Sequence, residues 1–215
     1  MVEQSTGLKA FIELVEAIAD NKFILGDRLV EIGIGGPDIE AATSAIAMAQ
    51  GELGHSRILY NWIQDLKGRQ GTKPEIKNQT GKAFNGVVQI NGWLTLIAAL
   101  YTVDVAQDLV LNSILQARRE DVISRIHKLM KEQREHILYS RGWANSLLND
   151  RMSVPRKFNE ALDRIIPEVE KWLADLNASH VLKDEGYLSR ELDLLKSFRE
   201  QIGLMREKGG TVHAC

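Results

Sequence analysis

Apolar residues recur at steps of three and four through most of the chain, and almost nothing alternates with period two beyond four residues. That pattern restricts the chain to an all-α fold. The first stripe runs Leu8, Phe11, Val15, Ile18, Lys22, Leu25, Leu29 and Ile32. It stops at the GIGG stretch, residues 33–36. There Gly35 and Gly36 suit a helix end, and Pro37, Asp38 and Glu40 suit the first turn of the next helix. A phosphate-binding glycine loop would need a preceding strand, and the pattern offers none.

The second helix is expected over residues 38–66, burying Ala42, Ala45, Ala49, Glu52, Leu59 and Ile63. A polar connection rich in Gly, Lys and Asn fills 67–91, and its GVVQI stretch at 86–90 is the one brief candidate strand. Ordinary helix–helix connections of about 2 to 8 residues make neighbours antiparallel; a connection this long can cross the length of a bundle. Helices three and four are predicted over 91–116 and 120–148, and two further helices over 155–177 and 188–206. The expected architecture is a four-helix bundle with a long crossover and additional C-terminal helices.

With 215 residues, 44% of them hydrophobic and 26% charged, the chain can bury one sizeable core, so a single domain over residues 1–215 is expected. Lys and Arg total 27 against 29 Asp and Glu, and a net charge of -2 provides no field for gathering nucleic acid or anionic membrane. Arg118 and Arg119 precede Glu120 and Asp121 and read as a solvated helix junction. No secretory leader pattern opens the sequence, and no apolar run approaches the roughly 18 to 20 residues of a membrane span, so a cytoplasmic protein is expected. The single cysteine, Cys215, excludes an intramolecular disulfide, and with His213 it reads as a frayed terminus rather than a metal tail.

The informative residues are polar ones standing where the period demands apolar ones. Helix one has Lys22, helix two Glu52 with His55, helix three Asp104 within Ile97, Leu100, Asp104, Gln107 and Leu111, and helix four Gln133 with His136 within Ile126, Leu129, Gln133, His136, Ser140 and Trp143. Each long helix contributes one such place near its middle. Ferritin-like di-metal proteins use this distribution, with a Glu on each of two helices and a Glu-x-x-His on each of the other two. A three-residue step turns both side chains to one face. Two positions depart from that template: Lys22 and Gln133 stand where carboxylates are required. The Lys22 ammonium is therefore expected where metal would sit, paired with Glu52 and Asp104, since a buried carboxylate needs a partner. An alternative keeps a reduced single-metal site of Glu52, His55, Glu132 and His136, with Glu132 turned inward. His127 and Glu135 fall off the stripe and are expected in solvent, and the four tryptophans are expected to pack.

The stretches ADNKFILGDRLVEI (19–32), PDIEAATSAIAMAQGELGHSRILY (37–60), VD (103–104) and KEQREHILYSRGWANSL (131–147) resemble the phenylacetic acid catabolic protein family, the ferritin-like subunits of phenylacetyl-CoA epoxidase complexes. The resemblance implies two kinds of subunit. The catalytic A-type completes a di-iron site with a helix-one Glu and a Glu-x-x-His on helix four, and the C-type is its structural companion with a decayed site. Lys22, Gln133 and the SRGW after His136 resemble the C-type, whereas Glu52-x-x-His55 resembles the A-type. The expectation is a non-catalytic subunit of a phenylacetate-degrading oxygenase, without a cofactor, whose partner is a related ferritin-like catalytic subunit or a second copy of itself. Its rivals are a stand-alone oxidoreductase using iron in the reduced site and, weaker for want of carboxylates, an iron store.

Overall fold

A computed structural model describes residues 5–69, 71–72 and 75–210. Among these there are eight α-helices and no strand: α1 Thr6–Glu31, α2 Ile39–Leu66, α3 Asn85–Val88, α4 Trp93–Gln116, α5 Glu120–Leu148, α6 Val154–Ala178, α7 His180–Asp184 and α8 Leu194–Gly210. The His213 and Cys215 tail lies outside the described residues. The protein is an all-α, ferritin-like bundle of α1, α2, α4 and α5, with α6 and α8 packed against α4 and α5.

Local chemistry fixes the helix ends. The Ser5 hydroxyl caps α1 by accepting from the Leu8 amide (3.1 Å), and the Glu185 carboxylate accepts from the Gly7 amide (2.8 Å) at the positive end of the helix dipole. After a 3-10 turn at Gly33–Gly35, Asp38 caps α2 through the Ala41 amide (2.7 Å).

Pairings across the bundle give its directions. Asp20 meets Tyr60, Lys22 meets Glu52 and Gly33 lies against Ala45, so α1 and α2 are antiparallel. Asp104 stands by Lys22, and Gln107 bonds the Ile18 carbonyl (3.4 Å), so α4 also runs against α1. The second and fourth helices are thus parallel, and residues between them must travel the length of the bundle, as the long crossover is expected to do.

That crossover is held by α1. Asp20, fully buried, accepts from the amides of Thr80 (2.9 Å) and Lys82 (2.7 Å), the Thr80 hydroxyl (2.9 Å) and the Tyr60 hydroxyl. Glu16 receives both Lys67 and Lys82 at 2.6 Å, so these two crossover lysines point inward rather than being simply solvated. Asn21 accepts from the Phe84 amide (3.0 Å).

Several sequence expectations are corrected. The GVVQI stretch is no strand: residues 85–88 form one helical turn whose first amides bond the Glu168 carboxylate on α6. Ala41, not Ala42, is buried on α2. The last helix starts at Leu194 rather than 188, because Asp193 accepts from the Lys196 amide (3.0 Å) as its cap, while Tyr187 and Leu188 turn back onto the Leu182 carbonyl. Arg119 is not merely solvated: its guanidinium lies 4.2 Å from the Tyr187 ring centre. Finally, α4 is long and apolar enough to cross a membrane by length and composition. Yet 83% of its most apolar window is buried inside the protein, under α1, α5, α6 and α8. A core helix covered on every side reads the same way.

Candidate functional site

The four midpoint positions converge on one buried point. Lys22 is 0% exposed. Its ammonium donates to Glu52 Oε2 (3.0 Å) and to Gln133 Oε1 (2.5 Å), and stands 3.6 Å from Asp104 Oδ1. Gln133 is the bridge. Its carbonyl takes the ammonium while its amide donates to Asp104 Oδ1 (2.8 Å) and the Asp104 carbonyl (3.1 Å). Only a carboxamide performs both roles, because a glutamate there would lack the donor and add a third buried negative charge. From the other side, His136 Nδ1 donates to Glu52 Oε1. Gly51 makes this approach possible: a Cβ there would lie 2.7 Å from His136 Cε1 and Nε2.

The electrostatics follow from this arrangement. Burial alone would raise the Glu52 pKa, but the Lys22 charge and the His136 hydrogen bond outweigh it and hold Glu52 ionised, well below the usual range. Asp104 is pushed up by burial and then by the Glu52 charge, and its Oδ2 has no hydrogen-bond partner among the described residues. For His136 burial opposes the imidazolium, but the bond to Glu52 and the charges of Glu52 and Asp104 prevail and raise its pKa. His55 moves the other way, lowered to about 4 by burial and then by Lys22. A neutral His55 donates from Nε2 to Glu132 Oε2 (2.8 Å), which leaves Nδ1 as a buried lone pair without a partner among the described residues.

A family model described as phenylacetic acid catabolic protein matches residues 2–210. The chain belongs to that family. Among curated relatives it is similar to the C-type subunit of 1,2-phenylacetyl-CoA epoxidase from Escherichia coli K12, 23% identical over 152 residues. The match covers 69% of this chain and 61% of that relative, so the chain spans less than two thirds of the relative's length.

The donor set can be tested against the di-iron centre that the ferritin-like arrangement implies. Such a centre opposes about four carboxylates to two divalent ions. Here the four helices supply Glu52 and Asp104, an amide and an ammonium, and both Glu52 oxygens are already engaged by Lys22 and His136. These residues do not fit two iron ions. Glu52, His55 and His136 do bring one ligand atom each within 4.8 Å of one another, the nearest approach to the reduced set. Glu132 does not turn into the centre. Its carboxylate, 46% exposed, meets His55 from outside.

His127 and Glu135 are exposed, and the tryptophans pack, Trp93 edge-on to Trp143, Trp62 to Phe11 and Trp172 to Phe84. Sequence reasoning missed Gly51. A glycine inside a helix costs about 1 kcal/mol unless packing requires it, and its place directly before Glu52 was the available signal. It also missed the Glu16, Asp20 and Asn21 flank of α1, which holds the crossover.

Proposed function

We propose that this chain is a non-catalytic, structural member of a phenylacetyl-CoA 1,2-epoxidase-type multicomponent oxygenase, acting in phenylacetate and aromatic-compound catabolism. The observation that carries this reading is the Lys22 ammonium, seated between Glu52, Gln133 and Asp104 where the ferritin-like template puts metal. An internal cation balances the remaining carboxylates without a cofactor. The similarity to a C-type epoxidase subunit points the same way. The partner is a related ferritin-like catalytic subunit in which the carboxylate set is intact, or a second copy of this chain, the isolated chain being a monomer or a homodimer, and a cytoplasmic location goes with this role.

Co-expression with the catalytic relative of the same genome tests it. The two chains should co-purify as a stable complex, whose interface removes about 1,200 to 2,000 Å² or more from solvent. Failure to associate with any such relative, under conditions that preserve known complexes, would overturn the proposal. A second reading, a stand-alone single-metal oxidoreductase, is favoured by one observation: the unpartnered His55 Nδ1 beside Glu52 and His136. It requires a cation to compete with Lys22 for Glu52.

A further inference from the structure

A cavity of about 640 Å³ lies between α1, α2 and the crossover, apart from the buried centre. Phe23, Leu53 and Ile76 supply an apolar wall, one from each of those three segments. On α2, Ser56, Arg57 and Asn61 supply polar groups that recur at helical spacing and so share a face with Leu53. Two of these are uncommitted. Ser56 is 1% exposed, and its buried hydroxyl has no hydrogen-bond partner among the described residues. The Arg57 guanidinium forms no ion pair among the described residues. Glu75, at the rim, is turned to Lys77 (3.7 Å).

A volume of about 300 to 1,000 Å³ with a few convergent polar groups is that of a small-molecule site, and here polar and apolar surface share the wall about equally. We propose that this cavity binds a medium-chain monocarboxylate. A planar guanidinium fork matches a carboxylate, the Ser56 hydroxyl can donate to the same group, and the apolar wall accepts its hydrocarbon body. Among the described residues Arg57 is the one cation of the lining without an ion pair, and with the Glu75 carboxylate at the rim it suits a single negative charge better than a phosphate or a polyanion. The site is independent of whether the centre holds metal and of whether the chain has a catalytic partner.

Isothermal titration of the full chain with octanoate tests this, with octanamide as the uncharged analogue and acetate as the anion without a body. Octanoate should bind saturably at one per chain, and octanamide and acetate should each bind at least about tenfold more weakly. Arg57→Gln, an exposed position, should weaken octanoate about tenfold, leave octanamide unchanged and leave the thermal melt where it was. Ile76→Trp, which fills the cavity from the crossover side, should weaken both ligands. The proposal is overturned by absence of saturable octanoate binding, by octanamide binding as tightly as octanoate, or by undiminished octanoate affinity in Arg57→Gln.

Discussion

Lys22 has given up its water for the oxygens of three side chains, Glu52, Gln133 and Asp104, and the two carboxylates depend on it in turn. Lys22→Met would leave Glu52 with His136 alone and Asp104 without a cation. The expected loss is about 3–5 kcal/mol in urea denaturation, the usual result of breaking a buried pair from one side; a loss below about 1 kcal/mol would show the pair to be energetically idle. Gly51→Ala sets two effects against each other. Alanine is favoured in a helix by about 1 kcal/mol, but its methyl would push the His136 ring off Glu52. Overpacking of this kind costs about 1–3 kcal/mol, so a lower melting temperature is expected. His55 gives a pH signature. With its pKa lowered from 6.5 to about 4, the unfolded chain binds a proton before the folded one between those values, so stability rises with pH across them. As pH falls from 6.5 to 4, wild type should lose up to about 3 kcal/mol that a His55→Asn variant does not, narrowing the difference between the two. Lys22, Glu52, Asp104, Gln133 and His136 were legible because each breaks an apolar stripe. The bridging role of Gln133 was not, because sequence shows a missing carboxylate but not which way an amide faces.

At the scale of elements, α1 works on two sides. Its centre-facing stripe carries Lys22, and its flank carries Glu16, Asp20 and Asn21, all buried under the crossover. Asp20→Ala would leave two amides and two hydroxyls without their acceptor, a loss of about 3 kcal/mol or more. Hydrogen exchange at Thr80 and Lys82 should accelerate while the middles of α2 and α4 stay protected; unchanged exchange there would show that Asp20 does not hold the crossover. The four long helices were readable from periodicity because each buries one stripe against other helices. The flank of α1 was not, since a surface covered by irregular chain has no period. The same physics hid the start of α8, where Tyr187 and Leu188 are buried in a turn and continue the apolar pattern before the helix begins.

Across the whole molecule, the packing of α1, α2, α4 and α5 side by side brings four helix midpoints to one place, and that convergence gives Lys22 its meaning. A lysine on one stripe is a local oddity; one that meets the polar residue of every other long helix is the centre of the bundle. On the proposed reading, its ammonium holds the position that iron holds in the ferritin-like template. Elemental analysis after anaerobic loading with ferrous iron and desalting tests this most directly, comparing wild type with Lys22→Glu/Gln133→Glu, which raises the carboxylates at the four positions from two to four. Substoichiometric iron is expected in wild type and about two ions per chain in the double variant, with iron raising that variant's melting temperature. Stoichiometric iron in wild type, released by Glu132→Gln and indifferent to Lys22→Met, would contradict it.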